Sequence, residues 1–172
     1  SELETITGIE ELLALGLLSE HASGYDFSHH KLREVAYEEA SLARRRLLHQ
    51  RAGEALAAAP ESRSGSAAAA GLAAAHFMQA GQTVQAAEYY SLAAEYARRV
   101  YANDEALTAF QAALAAGHPD PAGIHEACGD LYTLQGNYRE ALSNFQAAAA
   151  FCDPGCLSHI MHKLGEIHHR LG

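Results

Sequence analysis

The sequence predicts an all-α protein, a superhelix of antiparallel helical hairpins preceded by a small helix and β-hairpin. Three observations predict it. Apolar residues recur every three or four positions along most of the 172 residues, with short Gly, Asn or Pro breaks between the runs. An alanine–aromatic–alanine pattern returns at a near-constant interval, which is the mark of a stacked repeat. Only one short stretch, around residues 17 to 28, carries β-prone pieces.

The first predicted helix covers 6–18, "ITGIEELLALGLL", with Ile6, Ile9, Leu12, Leu13 and Leu17 at helical spacing and Gly16 as its stop. "LLSEHASGYDFSH" then holds two extended pieces around "HASG", a hairpin signal. A helix restarts near His29 and runs to about Tyr37, with Leu32, Val35 and Ala36 expected to face inward. Ser41 is placed to cap the next helix, "SLARRRLLHQRAGEALAAA", which Pro60 stops. "PESRSGS" is the one polar break in the pattern. Beyond it, helices are expected near 67–80, 83–101, 103–116, 122–135, 138–152 and 157–171. The domain organisation follows: 1–40, 41–66 as a connecting helix and loop, and 67–172 as repeats with the last one truncated.

Repeat phase comes from Gly129, Tyr132, Gly136, Tyr138, Ala141, Phe145 and Ala148. Ala106, Phe110 and Ala113 precede the last three by 35 residues, Gly165, His168 and Gly172 follow their counterparts by 36, and Ala86, Tyr90 and Ala93 repeat the spacing once more. Small residues at 129 and 141 let two helices approach closely while Tyr132 and Phe145 fill the space beside them. One such hairpin cannot bury its apolar face alone, so hairpins stack. The register around 83–101 stays open, because that helix fits two phases at once.

The stretch "AGIHEACGDLYTLQGNYREALSNFQAAAAFCDP" resembles a whole tetratricopeptide repeat (TPR), residues 87–116 resemble it more weakly, and 158–172 its first helix. That family implies a protein-interaction scaffold. Residues 9–37, as helix, hairpin and helix, resemble the back half of a winged helix. "FSHHKLREVAYEEASLARRRLLHQRAGEAL" is similar to a segment of the signal-transduction ATPases with numerous domains, in which an ATPase core and winged helix precede such repeats. In that family a Met-His-Asp motif begins the last winged-helix segment, and its histidine contacts the phosphate of bound ADP to hold a closed state. His29 falls on that histidine, with Leu32 and Ala36 on the apolar positions after it. Ser28 replaces the Met and His30 the Asp, so the orienting carboxylate is missing. The resemblance implies ATP or ADP in a longer parent protein, of which this chain is expected to be a piece. The alternative is a histidine that only caps its helix.

Composition narrows the functions. The net charge is −9, acidic in both halves, which repels a phosphate backbone and argues against direct nucleic-acid binding. Arg44, Arg45, Arg46 and Arg51 make the one basic cluster, expected to pair with Glu38, Glu39 and Glu54 or to dock another domain. "GIEELLALGLL", the helix that would enter a groove, has no base-reading side chain. No run is long and apolar enough for a membrane helix, the N-terminus is acidic, and three cysteines are an odd number, so a cytoplasmic location with reduced thiols is expected. There is no "GxxxxGK[ST]", "GxSxG" or "HExxH", so no enzyme activity and no cofactor are expected within the chain.

Two constellations remain. Cys152, Cys156, His159 and His162 are zinc-type donors within eleven residues, although the cysteines straddle a turn and need not converge. Repeat position puts Glu88, Glu95 and Arg98, then Glu126, Asp130 and Thr133, then His159, His162, Glu166 and His169 on the concave face. That face is expected to be acidic in the middle and histidine-rich at its end, suited to a partner segment with basic or hydroxyl groups. A merely solvated face is the alternative. The expected role is an interaction and sensor module that receives a protein or peptide effector, or other domains of the same chain, and relays it to an ATPase core. A plain scaffold, or part of a transcriptional regulator whose DNA reader lies elsewhere, are the other readings.

Overall fold

The computed structural model describes residues 2–22, 24–59 and 65–171. Most of the polar break, including Pro60 as the predicted helix stop, therefore lies outside the described residues. The chain divides into two compact units, Ser1–Arg45 and Arg46–Gly172. Among the described residues there are nine helices and one two-stranded sheet.

The first unit contains α1 (Glu2–Ala14), β1 (Leu18–His21), β2 (Gly24–Phe27) and α2 (His30–Glu39). Helix α1 starts earlier than the apolar pattern suggests and ends at Ala14, short of the predicted 18, with Gly16 acting as its stop. Gly16 takes a left-handed φ of 68°, its N–H reaches the Leu13 carbonyl, and Leu17 N–H reaches that of Leu12. The strands pair antiparallel, Leu18 opposite Phe27 and His21 opposite Gly24, and the Ser19 and Ser28 hydroxyls meet at 3.2 Å. Val35 and Ala36, expected inside, are exposed, and α2 buries none of its residues. The unit is too short to enclose the apolar face of every helix it contains. Arg45 also departs from expectation. It donates to the main-chain oxygens of Ala40 and Glu38 and lies over the Tyr37 ring, so it closes the C-terminus of α2 and does not pair with a carboxylate. Glu54 takes the Gln50 amide.

Helix α3 (Leu42–Ala58) is capped by Ser41, whose hydroxyl accepts from Arg44 N–H. The second unit continues through α4 (Ala67–Ala80), α5 (Thr83–Arg99), α6 (Asn103–Ala115), α7 (Pro121–Leu134), α8 (Tyr138–Phe151) and α9 (Pro154–Leu171). Boundaries fall within a few residues of those predicted. The last helix begins three residues early because Pro154 can occupy a first helical turn, where Asp153 Oδ1 accepts from the N–H groups of Gly155 and Cys156.

Alanine makes this core. Ala73, Ala86, Ala94, Ala106, Ala113, Ala141 and Ala148 are buried, and Phe77, Phe110 and Phe145 fill the gaps between the closely approaching helices. Gly129 shows why the repeat needs a small residue. A Cβ there would meet the Phe145 ring at 2.6–2.8 Å. Burying a side chain of that size contributes about 1.5–3 kcal/mol, and Phe145 can be buried there because position 129 carries nothing.

The open register of α5 has a structural answer. Gly81, Tyr101 and Gly136 each adopt a positive φ at a hairpin turn, and each closes the preceding helix by the same pair of bonds. Five residues beyond each stands a buried alanine: Ala86, Ala106 and Ala141. Thus α5 is the second helix of the α4–α5 hairpin and also the first helix of the α5–α6 hairpin. The two phases coexist on one helix.

Candidate functional site

The first helix of one hairpin and the first helix of the next, α7 and α9, share a polar face. Its centre is Lys163. The Lys163 ammonium donates to both oxygens of Asp130 at 2.7 and 2.8 Å and sits 2.7 Å from Glu126 Oε1. The same Glu126 oxygen lies 3.1 Å from His159 Nε2. The Lys163 side chain is only 17% exposed, and its ammonium lies 5.5 Å from the centroid of the Phe145 ring. Burial alone would weaken its charge. The hydrogen bonds and the negative charges of Asp130 and Glu126 together outweigh that and hold the ammonium above its ordinary range.

Sequence reasoning placed Glu126, Asp130 and His159 together on this face and missed Lys163. The signal was present, since Lys163 follows Asp130 by 33 residues, close to one repeat. A residue so spaced lies on the neighbouring equivalent helix. The correction matters chemically: the middle of the face is a compensated cluster, two carboxylates closed on one half-buried cation, and not an open acidic patch.

Its other members are distributed as follows. Glu95 pairs with Arg98 at 3.1 Å on α5, while Glu88 on the same helix is exposed. Arg98 also faces Cys128, a buried thiol that burial pushes up to about 11 despite the opposing arginine charge, so it stays protonated and packs as a small apolar group. Thr133 turns inward on its own helix and donates to the Gly129 carbonyl at 2.8 Å. His162 lies 3.7 Å from Glu166, both largely exposed, and His169 is exposed near the end of α9.

The zinc-type set does not assemble. Cys152 and Cys156 are joined to each other as a disulfide across the α8–α9 turn, with Cα atoms 5.9 Å apart, where separate reduced thiols were expected. His159 turns to Glu126 and His162 to Glu166. Among the described residues no group of three or more His, Cys, Asp or Glu side chains is placed to hold a metal.

His29 stands at the N-cap of α2 with extended backbone, φ −138° and ψ 134°, and its side chain makes no cap hydrogen bond. It is exposed. Capping by its imidazole, the simple alternative for this histidine, is therefore not what holds it there.

Two further features escaped the sequence. His49 on α3 and His76 on α4 face each other with Nδ1 atoms 2.9 Å apart, so one ring donates and the other accepts. Burial first, and the neighbouring His76 second, lower the pKa of His49. An open apolar groove of about 680 Å³ also runs between α4, α5 and α6. Among the described residues no helix is long and apolar enough to cross a membrane. No family model matches the chain, and no curated protein matches it significantly.

Proposed function

We propose that this chain is a non-catalytic interaction and sensor module of the tetratricopeptide type, working within a multidomain signalling ATPase. The observation that carries the reading is the phase of the turns at Tyr101 and Gly136, 35 residues apart, each followed by the same buried alanine and phenylalanine. Stacked hairpins of that period present successive first helices side by side, and their shared face is where a partner segment lies. On α7 and α9 that face offers the exposed His162, Glu166 and His169 beside the compensated Lys163 cluster. It suits a polar segment that exchanges hydrogen bonds more than one that brings a large positive charge.

The exposed, uncapped imidazole of His29 supports a link to nucleotide. Its ring is available to donate to a phosphate oxygen supplied by another domain. Partner contacts on the repeats would then shift the population away from a form that ADP and His29 hold closed.

The test is the nucleotide content of the longer protein that carries this segment, wild type beside His29→Ala. The latch reading predicts ADP in the wild type, and a His29→Ala protein that loses it or becomes constitutively active. Absence of nucleotide from both leaves a scaffold without nucleotide coupling and removes the ATPase from the account.

A further inference from the structure

The groove between α4, α5 and α6 is a consequence of the shared helix. The turn residues Gly81 and Tyr101 stand 20 positions apart, whereas Tyr101 and Gly136 stand 35 apart. One helix, α5, lies between the first pair and two, α6 and α7, between the second, and α5 packs closely on both α4 and α6. With α5 in both hairpins, α4 and α6 flank it, and its small residues Ala93 and Ala97 line the valley between Ala67 and Gly71 on α4 and Thr108 and Ala112 on α6.

The turn between its lining residues Val100 and Ala102 carries a second anomaly. Tyr101 has φ 60°, a left-handed conformation that is a steric outlier for a bulky residue, at the hairpin position that Gly81 and Gly136 fill elsewhere. The fold gains little from the ring, which leaves Tyr101 87% exposed. Beside it Val100, 71% exposed, lines the groove. Asp104 and Glu105, in the first turn of α6, are the charged groups on its lining. A strained, exposed aromatic whose chain neighbours Val100 and Ala102 line an apolar groove points to contact with something outside the fold.

We propose that this groove docks one amphipathic helix of a protein partner, with aliphatic side chains seated on the alanine floor and a lysine or arginine against Asp104 and Glu105. The α6 wall runs from Ala102 to Ala112, about 15 Å at the helical rise, which fits a segment of about three turns. Alanine and glycine walls let a helix backbone approach closely. A small metabolite would need polar groups converging from several sides, and here the charged ones lie at one end. The proposal rests on the reading of the chain as an interaction module, but it uses a surface separate from the α7–α9 polar face.

The test uses the full chain and a dye-labelled helical peptide of about fourteen residues, with leucines at every third or fourth position and lysines at one end. A twin peptide has glutamates in place of the lysines. Fluorescence anisotropy should show saturable binding of the lysine peptide and at least about tenfold weaker binding of its twin. Ala68→Trp, built on an exposed lining position, should cut affinity about tenfold or more. Tyr101→Gly should weaken binding severalfold while raising Tm, because glycine relieves the left-handed turn. Glu105→Lys should reverse the preference between the peptides. The proposal is overturned if the wild type binds neither peptide, or if Ala68→Trp and Tyr101→Gly leave affinity unchanged. It is also overturned if the chain self-associates with concentration and Ala68→Trp abolishes that, since the occupant is then a second copy. If Lys163→Ala lowers peptide affinity and Ala68→Trp does not, the groove fails while the interaction-module reading stands.

Discussion

The two units of this chain use apolar residues in opposite ways. In Arg46–Gly172 the small ones are buried and the large ones fill defined gaps, as Phe145 does over Gly129. In Ser1–Arg45 no described residue is buried, and Leu3, Ile6, Leu15, Tyr25, Val35 and Tyr37 are all exposed. Apolar content is therefore a poor guide to where the core lies. What separates the units is repetition: a hairpin that recurs brings its own covering surface, and a single helix–hairpin–helix of 45 residues does not.

The sharpest way to break this contrast is to cut the same kind of side chain from each unit. Phe145→Ala should cost about 3–5 kcal/mol in urea denaturation, since the ring is enclosed on all sides. Leu12→Ala in α1 should cost under about 1 kcal/mol. Equal losses would show that the first unit has a core after all. Gly129→Ala comes next, at about 1–3 kcal/mol, because the added carbon meets a ring that α8 holds in place.

Ion pairs sharpen the same comparison. Lys163→Ala leaves Glu126 and Asp130 facing each other without their shared cation, and should cost about 1–2 kcal/mol. Lys31→Ala, whose side chain is 75% exposed beside Glu34, should be within about 0.5 kcal/mol of wild type. A raised lysine contributes fully below its unfolded value of 10.5 and loses that contribution as pH climbs through the folded one. The difference between wild type and Lys163→Ala should thus stay level from neutral pH to about 10 and shrink above it.

The smallest effect is expected from the histidine pair. His49 is depressed below 6.5, so its folded form resists a proton that the unfolded chain accepts. Stability from this contact is complete above pH 6.5 and declines as pH falls below that value, levelling off under the folded pKa. Two protonated rings also lose the Nδ1–Nδ1 hydrogen bond. Thermal melts between pH 7.5 and 5 should show a drop that His49→Gln reduces, and a drop unchanged in that variant would remove the pair from the acid response.

What the sequence made legible followed from periodicity. Helix order, the β-hairpin at "HASG" and the Ser41 cap all came from patterns within a dozen residues, where the controlling physics is local. Glu126 and His159 were placed together because the repeat length carries one helix onto the next. Three things were hidden. Lys163 looked like an ordinary surface lysine, because its burial depends on Phe145 and on two acids in another helix. The inward-facing expectation for Val35 and Ala36 assumed a partner face that the first unit does not contain. The groove depends on α5 packing closely on both α4 and α6, which alanine periodicity alone left ambiguous. Tyr101 at a glycine position was the one available clue.

The central claim is that a repeat unit with its own core follows an N-terminal unit whose described residues form none. Native-state hydrogen exchange, followed by mass spectrometry on the isolated chain, tests it most directly. Amides of α4 through α8 should exchange slowly and together, and those of α1, β1, β2 and α2 at least about a hundredfold faster. Equal protection across both units would contradict the account, because it would mean that the first unit is held by a core the structure does not contain.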